Sequence, residues 1–360
     1  LSPDGEFIAT ITNNIVTNSS YSNESAIRSG ITPLALDGSG NLHMACLVDG
    51  RLEFDGIVME GTNEVAFARL SNSGQWDWAL MGGHYLGIGH ALTTDDIGNV
   101  YAFGKTENGS VFGNDTIWGS PLMPFYITKI SPAGQWEWTK TIGRASMNTF
   151  SYANALKVHP VTGKIFLSGA FHVSPYAIFG NDTLTSDKSV GYFLLCADQA
   201  GDPVWVHQPL SASFTTLCMH PTNGAYASDG YTVYRFSENG DIIDSLTLDP
   251  NAQLTSWGNF QHPLMTTDNH GRLYATGRTK PGTAKFGDHI ITSPTEGSTA
   301  FLTEISCDPP ATTTRLEQSH RTLVHPNPTT GVIIIDLDGL QADAIVDIYD
   351  LQGKLYQSHR

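Results

Sequence analysis

Through residues 1–306 the apolar positions come in short alternating runs, each ended by a turn that contains glycine. The clearest run–turn–run unit is Leu70-Ser-Asn-Ser-Gly-Gln-Trp-Asp-Trp78, repeated as Ile130-Ser-Pro-Ala-Gly-Gln-Trp-Glu-Trp138. Weaker copies are Cys196-Ala-Asp-Gln-Ala-Gly-Asp-Pro-Val-Trp205, Phe236-Ser-Glu-Asn-Gly-Asp-Ile-Ile243 and the opening Leu1-Ser-Pro-Asp-Gly-Glu-Phe-Ile8. Their turn glycines (Gly5, Gly74, Gly134, Gly201, Gly240) are 69, 60, 67 and 39 residues apart. A second motif lies between them: Asp37-Gly-Ser-Gly-Asn-Leu-His43, Asp95-Asp-Ile-Gly-Asn-Val-Tyr101, His159-Pro-Val-Thr-Gly-Lys-Ile-Phe166 and Asp268-Asn-His-Gly-Arg-Leu-Tyr274. A third reads Phe112-Gly-Asn-Asp-Thr-Ile117, Phe179-Gly-Asn-Asp-Thr-Leu184 and Phe286-Gly-Asp-His-Ile-Ile291, with Phe54-Asp-Gly-Ile57 as a degenerate copy. Glycine supplies positive φ without steric cost, Asp and Asn cap turns with their own side chains, and the flanking Val, Ile, Tyr, Phe and Trp favour pleated strands.

One unit therefore reads as a strand (90–94), a turn, a strand (99–104), a small hairpin (110–118), a strand (124–131), a turn and a strand (135–141). That is a four-stranded antiparallel meander with a hairpin before its third strand. Five units are visible, at about 31–81, 88–142, 153–210, 214–248 and 260–305. A lone meander cannot bury both faces, so neighbours are required, and the fold class is all-β, a β-propeller of four-stranded blades. Both ends read as cut, because the chain opens inside a repeat motif and stops soon after a strand-like stretch. The last unit lacks a Trp-bearing strand, and the opening 6–10 is such a strand without its first three. Either this strand completes the last blade and closes the ring, or further blades lie upstream. In the alternating Trp76/Trp78 and Trp136/Trp138 pairs, both side chains are expected on one side of their strand, packed between blades.

The composition narrows the partners. With 19 Lys and Arg against 35 Asp and Glu, the formal charge is −16. Such a chain repels phosphate backbones and anionic membrane surfaces, so neither nucleic acid nor membrane is an expected partner. No apolar stretch is long enough for a membrane-spanning helix. Hydrophobic residues at 40% suffice for a core.

The Asp-x-x-Gly-Asn-Val-Tyr turn, the following Gly104 and the Ile-Ser-x-x-Gly-x-Trp-x-Trp strand resemble the bacterial β-propeller repeat of secreted multi-repeat proteins. NHL-type propellers share the turn but not the Trp-x-Trp strand, and Ser71 lies too close to Gly74 for a sialidase box. Residues 307–321 are Pro/Thr-rich and read as a linker. Beyond it, residues 322–360 carry His325-Pro-Asn-Pro-Thr-Thr-Gly331 and Ile348-Tyr-Asp-Leu-Gln-Gly-Lys354. Together these resemble a truncated C-terminal sorting domain of type IX secretion cargo in Bacteroidetes, a partial β-sandwich. The resemblance implies a secreted or outer-surface protein that meets the type IX machinery through this domain.

Chemistry-bearing patterns are few. Cys46, Cys196, Cys218 and Cys307 lack CxxC spacing and, if oxidised, allow three pairings. The thirteen His residues show no metal-ligand spacing, and Asp95, Asp96 and Asp268 fit turn capping better than calcium. No catalytic residue, metal site or cofactor is assigned. A ligand site is expected on the face formed by the loops 13–30, 82–89, 143–152 and 249–260, with 106–109 and 172–177 nearby, because loops on a rigid scaffold carry function. Its binding residues are Tyr85, His84, His90, Tyr152, Trp257 and Phe260, and its partner an extracellular protein or glycan. The function expected is a non-catalytic binding or scaffold module. The alternative is an extracellular hydrolase or lyase on polysaccharide or peptide, which needs carboxylates, or a His with a carboxylate, converging at the central channel.

Overall fold

The computed structural model describes residues 15–16, 33–84, 91–119, 122–145, 152–172, 176–186, 190–209, 214, 216–222, 224–254, 264–268, 271–287, 289–295, 299–305, 324–325, 334–335, 346–349 and 355–359. Every regular element among them is a β-strand, and every pairing is antiparallel. The chain divides into one compact unit of Thr12–Cys307 and another of Leu1–Ile11 with Asp308–Arg360.

The larger unit holds five sheets that follow the repeats. Sheet 1 contains Leu34–Leu36, Leu42–Phe54, Ile57–Leu70 and Trp76–His84; sheet 2 contains Ala91–Thr94, Val100–Lys105, Met123–Ile130 and Trp136–Ala145. Sheet 3 runs Tyr152–Val158, Ile165–His172, Val190–Ala197 and Pro203–His207, and sheet 4 runs Thr216–Met219, Ala225–Ser228, Thr232–Phe236 and Ile242–Thr247. Sheet 5 pairs Met265–Thr267 and Ala252–Gln253 with one side of Leu273–Thr279, and Thr299–Ile305 with the other. Among the described residues no strand pairs with the outer side of Thr299–Ile305. The expected partner segment 6–10 lies outside them.

Strand alternation puts every second residue of a sheet into the layer shared with the next sheet. Ala45, Val65 and Phe67 of sheet 1 meet Ala102, Tyr126 and Ile130 of sheet 2 in one buried cluster. Phe103, Phe125 and Ile127 of sheet 2 meet Leu167, Phe193 and Leu195 of sheet 3. The same holds for sheets 3 and 4 around Phe166, Phe214 and Phe236, and for sheets 4 and 5 around Tyr226, Leu273 and Phe301. The first strands of sheets 1 to 5 touch one another in chain order. Two hydrogen bonds bind them at equivalent places: Thr94 Oγ1 donates to Leu36 O at 2.8 Å, and Thr267 Oγ1 to Met219 O at 2.7 Å.

The outer strands are sealed by tryptophan. The Trp78 indole lies against Gly134, and its N–H donates to Pro132 O at 3.1 Å. Trp205 repeats this against Gly240 and Glu238 O at 2.9 Å, and Trp138 packs on Gly201. One expectation is corrected here: the two tryptophans of a pair point to opposite faces. Leu70 pairs with Trp76 but Arg69 with Trp78, so Asp77 is an extra, bulged residue that reverses the alternation. Glu137 bulges the same way between Trp136 and Trp138. Trp76 accordingly packs with Phe54 on the back of sheet 1, whereas Trp78 faces sheet 2. Each bulged acid pairs with the cation opposite, Lys129–Glu137 at 2.7 Å and Arg69–Asp77 at 3.4 Å.

The third motif is a clasp between sheets. The hairpin Ala177–Phe179/Asp182–Leu184 of the third unit pairs with the outer strand of sheet 2, Gly143 with Phe179 and Arg144 with Ile178. Phe112 of the preceding hairpin lies over Gly82 and Gly83 of sheet 1, where a Cβ would collide with its ring. Sheet 1 merges its own hairpin into the long strands Leu42–Phe54 and Ile57–Leu70 through a two-residue turn, Asp55 and Gly56, both with positive φ. In sheet 4 the hairpin is absent and Asp229–Tyr231 turns the chain directly.

In the smaller unit, Val324–His325 pairs with Ile334–Ile335, and Val346–Tyr349 pairs with Leu355–His359.

Candidate functional site

The short turns form one end of each sheet, and their polar side chains are spent on the turns themselves. The residue opening a first-to-second-strand turn caps the amides beyond it. Asp37 Oδ1 accepts from Ser39 N and Asn41 N, both at 2.9 Å, Asp95 Oδ1 from Asn99 N at 2.8 Å, and Asp268 Oδ1 from Arg272 N at 2.9 Å. His159 Nδ1 does the same for Val161 N and Thr162 N. In the third-to-fourth-strand turns the cap is Ser71, Ser131, Asp198 or Ser237, each accepting from the amide four residues on.

One of these caps, Asp37, is buried with a histidine, and another, His159, is itself a buried histidine. Asp37 also accepts from Asn41 Nδ2 and lies 3.0 Å from His43 Nε2. Burial raises the Asp37 carboxyl, but the hydrogen bonds from Asn41, His43 and Ser39 outweigh it and bring it to about 2. Burial pushes His43 below its usual value against the pull of Asp37, and pushes His159 down against that of Glu238. These neutral imidazoles serve as turn anchors. The His43 ring lies 5.9 Å from that of Trp78.

Between the turns of sheets 2 and 3 is a cavity of about 340 Å³, lined by Asp96, Ile97, Tyr101, Lys129, Val161 and Gln199, among others. Tyr101 donates to Asp95, Lys129 pairs with Glu137, and Gln199 Nε2 donates to Thr162 O, so much of its polar lining is committed to the fold. It lies at the opposite end of the sheets from the expected loop face.

On the loop face the structure places part of the expected set. His84 ends the outer strand of sheet 1 with its side chain exposed. Its backbone ties that strand to the next unit, His84 N donating to Ser110 Oγ at 3.1 Å and His84 O accepting from Thr106 Oγ1 at 2.7 Å. Tyr152 opens the first strand of sheet 3, opposite Ala170. Tyr85, His90, Trp257 and Phe260 lie outside the described residues. The same end holds a group absent from the expected set: Lys105, closing the second strand of sheet 2, is 4% exposed, and burial pushes its ammonium down to about 8. A lysine ending the apolar run Val100-Tyr-Ala-Phe-Gly104 was its signal in the sequence. Cys46, Cys196 and Cys218 are buried thiols on three different sheets, with burial pushing Cys46 and Cys196 up to about 12. Such thiols behave as small hydrophobes.

No family model matches the chain, and no curated protein matches it. Among solved structures it is similar to a Bacteroides caccae protein of unknown function, at 8% identity over 68% of this chain and 69% of that one, with a TM-score of 0.39. A Dyadobacter fermentans protein of unknown function aligns at 12% identity over 80% and 88%, with a TM-score of 0.37. The Dos1 propeller aligns at 11% identity over 71% and 68%, with a TM-score of 0.35. At these scores the likenesses assign neither activity nor partner.

Proposed function

We propose that the five sheets are blades of a β-propeller, and that the chain is an exported, non-catalytic binding or scaffold module of the outer cell surface or secreted space. The observation that carries this reading is the recurring division of labour within a repeat. First strands touch in chain order, tryptophans seal the outer strands, and the described turn-capping side chains hydrogen-bond to their own turns. A scaffold built this way leaves recognition to its longer connections. Residues 322–360 act as a type IX sorting module, and the partner is an extracellular protein or glycan held by the loop face. Glycan-array and pull-down binding by the whole chain, repeated with Tyr85→Ala, Tyr152→Ala and Trp257→Ala, tests the loop face. Binding weakened at least tenfold is expected; unchanged binding in all three variants rules the loop face out.

A further inference from the structure

The repeats supply an internal control for surface residues. Four hairpins share one construction, and the position after the inward apolar residue of the second hairpin strand (Met59, Ile117 and Leu184 buried, Ile291 half-buried) is Glu60, Trp118, Thr185 and Thr292 in chain order. All four are exposed, and three are ordinary polar residues. Trp118 is 60% exposed, the largest side chain among the exposed hydrophobics.

The fold asks this position only for its carbonyl. Thr141 Oγ1 donates to Trp118 O, and Gln208 Nε2 donates to Thr185 O at the matching place in sheet 3. Threonine therefore serves as well as tryptophan for the clasp. The six-membered ring of the indole reaches Gly109, whose notional Cβ would sit 3.3 Å from its Cη2. Among the described residues no hydrogen bond to the indole N–H is formed, unlike those of Trp78 and Trp205. The base beneath it is rigid: Gly109 N donates to Ile117 O at 2.9 Å, and Asn108 bridges Gly119 N and Leu122 O.

We propose that Trp118 is a stacking platform for the pyranose rings of a neutral polysaccharide. This rests on reading the chain as a binding module and names the chemistry of its ligand. A protein hot spot sits inside a desolvated apolar patch. Among the described residues of this hairpin and its approach, Glu107 and Thr116 are exposed and polar, and Val111 is the exposed apolar one. A sugar matches that setting, with C–H groups for the indole face and hydroxyls for the polar rim. The charge of −16 sets the polymer as neutral, since a polyanion is repelled.

The test is affinity electrophoresis of the whole chain in gels containing mixed-linkage β-glucan, xylan, mannan or dextran, with Trp118→Thr and Trp118→Phe beside the wild type. Retardation by at least one polymer is expected, weakened tenfold or more in Trp118→Thr, partly kept in Trp118→Phe, with the thermal midpoint of both variants unchanged. Equal retardation of wild type and Trp118→Thr overturns the proposal, as does wild type passing all four gels unretarded. Retardation lost in Tyr85→Ala and Trp257→Ala but kept in Trp118→Thr overturns the Trp118 platform while upholding the loop face. Loss in Trp118→Thr alone supports the platform and tells against that face.

Discussion

At the scale of single residues, the turn glycines do two jobs that spacing alone does not separate. Gly134 has φ +72° and sits under the Trp78 ring, where an added Cβ would lie 2.5 Å from Cγ. Gly56 has φ +86° with nothing within 4 Å. Gly56→Ala is expected to cost about 1 kcal/mol for the left-handed backbone alone, and Gly134→Ala about 2–4 kcal/mol because the seal must also open. Urea denaturation of both variants measures the difference, and equal costs would mean that Trp78 does not hold the two sheets together. The sequence made the glycines and their turns legible, since Ser-x-x-Gly and Asp-x-x-Gly each carry their own cap. It hid the direction of the tryptophans. A bulge adds one residue without changing the residue types around it, so the Trp-acid-Trp spacing reads as alternation although Asp77 and Glu137 reverse it.

Elements show the same split between local and long-range information. Strand order, the hairpins and the loss of one hairpin in the fourth unit follow from turn chemistry, which is local. That a hairpin belongs by packing to the sheet before it is not local. The Phe of Phe-Gly-Asn-Asp does its work against Gly82, Gly83 or Gly143, glycines some thirty residues back in another unit. Phe179 is 1% exposed, its ring tilted against Phe193 at 4.1 Å and stacked on Phe125 at 5.7 Å, so it fills the layer between sheets 2 and 3 as well as covering Gly143. Phe179→Ala is therefore expected to destabilise by about 3–5 kcal/mol. Because the hairpin pairs with the outer strand of sheet 2, amide exchange should quicken at Gly143 and Arg144 more than in the first strand, Ala91–Thr94. Hydrogen-exchange mass spectrometry distinguishes this from a hairpin that merely decorates its own sheet. The candidate site was legible to the same degree: sequence pointed to the long connections, and the described loop-side residues include His84 as a joint between sheets. An exposed Trp118 was beyond reach, because whether a tryptophan is sealed or bare depends on the strand lying across from it.

For the molecule as a whole, its histidines set an acid limit. His43, His159 and His207 are all held below the usual imidazole value by burial, His43 and His159 in spite of nearby Asp37 and Glu238. When a histidine's folded pKa is depressed, the unfolded chain takes up the proton first. Stability is then complete above the unfolded value of 6.5 and falls as pH drops below it toward the folded pKa. Each such group contributes up to about 1.4 kcal/mol per pH unit across that window. Asp37 adds a second, lower window: its carboxyl, brought to about 2 from 3.8, contributes stability that is lost as pH falls between those values. The urea midpoint is thus expected to be level above pH 7, to fall from pH 6.5 downward, and to fall again below 3.8. His159→Asn keeps an acceptor for the Val161 and Thr162 amides while removing one of the three titrating rings, so it should make the first fall shallower without moving the second. A midpoint that stays level from pH 7.5 to 5 in the wild-type chain would show that these rings take up protons without opening the structure around them, and the role of His43 and His159 as neutral turn anchors would have to be abandoned.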